Sequence, residues 1–203
     1  MSQLSRRSVL GIAAAAAAAP FAITLPARAA TFYPVDAWTY TARTWARESY
    51  WGRTQGEALV GRPWGDSGLW RSFFRVPIAA LAGQTITSAK FTIQLLHTPT
   101  GAATPVQLFL VRDLDPKDPL TWENSSDGAT WRRWLGDAKG SAWNGQPKPV
   151  LQFIDGPVHE SIQDALLNGK SHISFALRAA DENDQTQWKK FAGASAGLEI
   201  TTA

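Results

Sequence analysis

The sequence predicts a mostly β protein: a single antiparallel, jelly-roll-like β-sandwich with one short helix, at about 157–168. Three observations predict it. Short runs of alternating apolar and polar residues recur between Gly-, Pro- and Asn-containing turns, the period of half-buried strands. Only one stretch repeats apolar residues at helical spacing. Strand and helix do not alternate as a parallel sheet requires.

Residues 1–30 are set apart as an export leader. Arg6 and Arg7 precede an Ala-rich run from Val9 to about Leu25, and Ala27-Arg28-Ala29 supplies a cleavage pattern near Ala29. The Arg-Arg pair and the weakly apolar run resemble a twin-arginine signal, placing the chain in the periplasm, at the cell surface or outside the cell. The run is short and broken by Pro20 and Pro26, so no membrane anchor is expected in the mature form. Of 20 Lys+Arg, the leader holds three, Arg6, Arg7 and Arg28; the rest match 17 Asp+Glu, so residues 31–203 are formally neutral. Without a basic surplus or a run of bases, no nucleic-acid partner is expected. There is no cysteine, so a core built from ten Trp and nine Phe must hold one domain over 31–203 without disulfides.

The elements follow in order. Ala37–Ala42 reads as a strand with Trp38 and Tyr40 on one face, and Ala58–Arg62 as a short one. In Trp70–Val76, Trp70, Ser72, Phe74 and Val76 share one side while Arg71, Phe73 and Arg75 share the other. Ala89, Phe91, Ile93 and Leu95 give the clearest alternation in the chain. Pro105–Leu114 is apolar on both faces, which predicts a strand covered on both. Asp113–Gln146 reads as a long irregular connection, of the kind that often carries function. Val150–Ile154 is a strand. The helix follows, with Asp155 as its cap, Pro157 in its first turn, a Val158/Ile162/Leu166 stripe, and Asn168-Gly169 as its stop. Ser171–Ala179, Trp188–Phe191 and Gly197–Thr201 complete the strands.

Three segments carry a resemblance. They are Leu59-Val60-Gly61 with Arg71–Val76 and Ile86–Phe91; Leu120-Thr121-Trp122-Glu123-Asn124; and Ala176–Asn183 with Trp188-Lys189-Lys190-Phe191. Together they resemble the DNRLRE-type domain of exported bacterial, particularly actinobacterial, proteins. That group is similar to alginate-binding carbohydrate-binding modules, which are jelly-roll sandwiches. The resemblance implies this fold over about 35–201 and supplies no catalytic residues. Members of the group usually sit within large multidomain surface proteins.

Function is read from aromatic and charged residues. Trp131-Arg132-Arg133-Trp134, with Trp143, offers aromatic faces for sugar rings and guanidinium groups for hydroxyls or a uronate carboxylate. Trp45, Trp51 and Trp64 form a second set. Asp113, Asp115 and Asp118 offer oxygens to a structural calcium, the one cofactor the pattern allows, but they lack the EF-hand Gly and Glu and equally suit a turn. Asp181–Asp184 is a second acidic loop. His97, His159 and His172 are scattered, and no hydrolase or phosphate-loop motif occurs. The expectation is a non-catalytic exported binding module for polysaccharide or cell-envelope glycan. The alternatives are a structural or adhesive envelope protein that contacts other proteins, and a polysaccharide-cleaving enzyme with paired carboxylates.

Overall fold

Phe91 stands at the centre of the molecule. Its ring lies 5.6 Å from Phe74, 6.1 Å from Phe153 and 5.3 Å from Phe175. All four are fully or almost fully buried, each worth about 1.5–3 kcal/mol of transfer free energy. They come from two different sheets. The computed structural model describes residues 29–65, 68–154 and 156–203.

In chain order the strands are β1 (Thr31–Pro34), β2 (Ala37–Ala42), β3 (Glu57–Val60), β4 (Trp70–Pro77), β5 (Ile86–His97), β6 (Thr104–Val111), β7 (Trp131–Gly140), β8 (Val150–Ile154), β9 (His172–Ala179), β10 (Lys189–Ala192) and β11 (Gly197–Thr202). The helices are α1 (Trp122–Ser125) and α2 (Gly156–Leu167). One sheet has six strands, ordered β1-β11-β5-β10-β3 with β8 also paired to β5. The other has five, ordered β2-β4-β9-β6-β7. Every pairing is antiparallel, and the sheets stack as a sandwich. This is the predicted fold class.

The alternations work as read. Ala89, Phe91, Ile93 and Leu95 of β5 face the core, and so do Trp70, Ser72, Phe74 and Val76 of β4. β5 lies beside β11 over its first half and β10 over its end. Between those two strands Ser195 Oγ accepts the Gln94 N–H at 2.9 Å, so the ladder is bridged across the break. Gly193 in this turn lies under Trp38; a Cβ there would fall 2.3 Å from the indole. β1 runs antiparallel to β11, with Thr31 opposite Ile200 and Pro34 opposite Gly197.

α2 packs Val158 and Ile162 into the core. It ends in a Schellman turn: Gly169 N–H donates to Leu166 O and Lys170 N–H to Ala165 O, with Gly169 at φ +67°. Its expected cap, Asp155, lies outside the described residues, as do Arg6 and Arg7. Ala29 is exposed just ahead of β1. Among the described residues, no helix is long and apolar enough to cross a membrane.

One expectation is corrected. The stretch 113–146 is not irregular throughout; it holds α1 and the ten-residue strand β7. β7 is an edge strand whose pairing to β6 shifts register twice, between Leu108 and Phe109 and between Leu110 and Val111. Those bulges break the period of two that marks a strand in sequence. α1 is a single turn whose Thr121 and Asn124 form a reciprocal capping box. Glu57–Val60, rather than 58–62, forms β3, because Gly61 turns the chain at φ +87°.

Candidate functional site

The outer face of the five-stranded sheet carries a second apolar layer. β4 presents Arg71, Phe73 and Arg75 outward, β9 presents Ala176 and Arg178, and β6 presents Gln107, Phe109 and Val111. Over them lies the 112–130 segment, which adds Leu114 and Leu120; Phe73, Val111, Leu114, Leu120 and Ala176 form one buried cluster. Trp51 joins the cover, its Nε1 donating to Asp118 O at 3.0 Å.

Trp131 is the pivot of this layer. Its ring meets Phe109 edge-on at 5.2 Å and Phe73 at 5.7 Å, and its Nε1 donates to Ser125 O at 2.7 Å. Arg71 lies over Trp122 at 4.4 Å and over Trp131 at 5.2 Å. Arg178 lies over Phe109 at 4.4 Å and over Trp131 at 5.6 Å. The two guanidiniums differ in their commitments. Both arms of Arg71 are taken by Glu182, at 2.7 Å each. Arg178 donates Nε to Gln107 Oε1 at 3.2 Å and, among the described residues, forms no ion pair. Burial pulls the Arg178 guanidinium below its ordinary value, with Glu182 opposing and Arg71 adding to the effect.

Trp134 stands directly opposite Phe109 in the β6–β7 ladder, and Asp137 stands opposite Gln107. Directly opposed residues project from the same face. Trp134 is 53% exposed, and its Nε1 donates to Asp137 Oδ1 at 2.9 Å, which fixes the indole on its long torsions. Trp134, Phe109, Arg178, Gln107 and Asp137 therefore form an open strip. It combines an exposed aromatic face, a guanidinium without a carboxylate partner, an amide and a carboxylate. That set suits a ligand with both apolar ring faces and polar or anionic groups.

The residues singled out from sequence fall in three places. Trp131 and Trp134 share the outer face, one half-buried and one open. Arg133 pairs with Glu160 of α2 at 2.6 Å, and Arg132 lines a separate cleft of about 430 Å³ with Asp164, Asn168 and Lys170. Trp143 lies in the loop after β7, at the opposite end of the strand from Trp131, and is 42% exposed. Sequence reasoning missed Arg178, Phe109 and Gln107, which come from β6 and β9. The signal was there: outward positions on strands predicted to be covered on both sides.

Asp113, Asp115 and Asp118 line one cleft of about 270 Å³ together with Arg75, Lys170 and His172. Asp113 is taken by Lys170 Nζ at 2.5 Å, and Asp115 Oδ1 accepts the Lys117 N–H at 3.0 Å as a turn former. Among the described residues, no three His, Cys, Asp or Glu side chains gather as a metal site. In the second acidic loop Asp181 and Asp184 accept backbone N–H groups and Glu182 holds Arg71, so its acids serve the fold.

A chain of polar contacts joins Ser171, His172, Asp36 and Arg75. Ser171 Oγ is 2.9 Å from His172 Nδ1, and His172 Nε2 is 3.1 Å from Asp36 Oδ2. Arg75 donates to both Asp36 oxygens, at 2.9 and 2.7 Å. Burial would raise the Asp36 carboxyl, but Arg75 and His172 outweigh it and hold the group below its ordinary value. With both oxygens forked by Arg75, Asp36 ties the β1–β2 turn to β4 and β9, and the chain reads as a clasp rather than a catalytic relay.

No family model and no curated protein matches the chain.

Proposed function

We propose that this chain is an exported, non-catalytic binding module for polysaccharide or cell-envelope glycan, of the DNRLRE-type class it resembles. The observation that carries the reading is the open strip on the outer face of the five-stranded sheet. Trp134 offers a fixed, half-exposed indole, and Arg178 offers guanidinium nitrogens not taken by any described carboxylate. A pyranose ring can stack on the indole while its hydroxyls or a uronate carboxylate meet Arg178, Gln107 and Asp137. The Arg71–Glu182 pair and Trp131 serve as the rigid floor. A twin-arginine export route fits a β-sandwich that closes without disulfides.

The test is retention of the protein on insoluble neutral and uronate-containing polysaccharides, beside a glycan array. Retention that is lost on Trp134→Ala supports the reading. If no glycan is retained at millimolar concentration, or if Trp134→Ala binds like the parent, the reading fails.

A second reading has its own observation. Phe32, Val150 and Ile154 are exposed on the outer side of the six-stranded sheet, flanking the Lys90–Glu199 ion pair. An envelope protein that docks other proteins would use this face. Light scattering discriminates: a strictly monomeric particle that captures no protein counts against it.

A further inference from the structure

The chain holds two Asn-Gly pairs, Asn144–Gly145 and Asn168–Gly169, in opposite settings. An Asn before Gly is chemically vulnerable because no side chain shields the following amide nitrogen, and Gly allows the backbone to reach the reactive geometry. Whether the reaction proceeds depends on whether the amide nitrogen and the Asn side chain are free.

At Asn168 they are held. Its Nδ2 donates to Asp164 O at 2.7 Å, and the Gly169 N–H donates to Leu166 O at 3.0 Å. The Lys170 N–H bond to Ala165 O closes the same turn at 2.9 Å.

At Asn144 they are free. Residues 143–148 are all exposed. Asn144 and Gly145 both take positive φ, 29° and 79°, at the tip of a tight turn. Two contacts hold that turn: Gln146 N–H to Trp143 O at 2.9 Å and Trp143 N–H to Gln146 Oε1 at 3.1 Å. The Gly145 N–H and the Asn144 side chain make no hydrogen bond among the described residues. Firm anchors come only outside the turn, where Ala142 N–H meets Thr98 Oγ1 and Leu95 N–H meets Pro149 O. Reorienting Asn144 therefore disturbs the turn and nothing of the core.

We propose that Asn144 is a selective site of spontaneous backbone modification through a succinimide. The Gly145 nitrogen, giving its proton to solvent, attacks Cγ of Asn144. A C–N bond forms, the side-chain amide leaves as ammonia, and a five-membered imide results. Water then opens either carbonyl, leaving aspartate or isoaspartate at 144. Either product places a new carboxylate between Trp143 and Lys148. The iso form also lengthens the backbone by one methylene, which the turn that positions Trp143 does not accommodate.

The test is incubation of the intact folded protein in mildly alkaline buffer, followed by peptide mapping and methylation with an isoaspartyl methyltransferase. The expected result is a more acidic form whose mass gain maps to the 143–148 loop. It should accumulate about tenfold or more faster than any change at Asn168, the factor that one or two retained hydrogen bonds are worth. Asn144→Gln removes the acidic form and leaves the rest of the map unchanged. Equal rates at the two sites, a first modification at Asn168, or an unmodified wild-type protein each overturn the proposal. Unfolding in urea is the control: there the two rates converge, because only the fold distinguishes the sites.

Discussion

Glu182 grips Arg71 with two parallel hydrogen bonds of 2.7 Å across 111 residues of chain. The pair is largely shielded, with side chains 11% and 21% exposed, and the Arg71 plane rests on Trp122 and Trp131. Bidentate geometry and low exposure place it well above an ordinary surface ion pair. Glu182→Gln is expected to lower stability by about 2 kcal/mol by leaving the guanidinium underpaired. Urea unfolding measures it. A change within a few tenths of a kcal/mol would show that the stack is held by its rings alone.

Within the binding reading, Trp134→Ala is expected to weaken glycan retention about tenfold, the order of one ring-stacking contact. Arg178→Lys keeps the charge but loses the planar fork and is expected to weaken retention of acidic glycans more than neutral ones. Trp143→Ala, at the far end of β7, leaves both unchanged. Affinity electrophoresis in gels containing the polysaccharide reads all three. A larger loss from Trp143→Ala than from Trp134→Ala would move the site to the other end of the sandwich.

Lys189 is fully buried on β10, with Nζ donating to Thr104 Oγ1 at 2.5 Å and to Gln187 O at 3.4 Å. Burial pushes its ammonium down to about 8 from 10.5, with Asp184 opposing. Between those two values the unfolded chain keeps a proton that the folded chain has released, so stability rises with pH across the window. The full rise is about 3 kcal/mol. Lys189→Met lacks this ionisation and should show no such slope. Parallel pH–stability curves for the two proteins would contradict the assignment.

Asp36 gives the opposite limb. Its folded carboxyl sits below the ordinary value of 3.8, so the Arg75–His172 clasp contributes its full stability above that pH. The contribution is lost as pH falls through the lower folded value. Asp36→Asn is expected to cost about 1 kcal/mol at neutral pH and to flatten the acid side of the stability curve. An acid limb as steep in Asp36→Asn as in the parent would place the sensitive carboxylate elsewhere.

The strands with one face in the core were readable from sequence, because burial imposes a strict period of two on residues such as Ala89, Phe91, Ile93 and Leu95. β6 was readable for a different reason: its Phe109 and Val111 announced a second covered face. β7 was not. As an edge strand with two bulges it carries Arg132 and Arg133 in succession and a glycine, Gly136, at positive φ. The candidate site was half legible. Trp131 and Trp134 were visible as a pair on one strand, but their partners Arg178 and Phe109 arrive from β9 and β6. Strand order decides that meeting, and no local pattern encodes it. Arg132 and Arg133 looked like part of the site because they are neighbours in sequence, yet the strand sends them to α2 and to another cleft.

The antiparallel pairing of β1 with β11 has a mechanical consequence. Thr31 lies opposite Ile200, so the chain enters and leaves this ladder at the same end. A pull applied through residues 31 and 202 would load those hydrogen bonds one after another, opening them like a zip, because antiparallel bonds run across the strands. Such a geometry peels at low force, whereas a sheared ladder must break all its bonds together. Under tension this sandwich would yield first along β1, and the buried core around Phe91 would stay closed after that strand had gone.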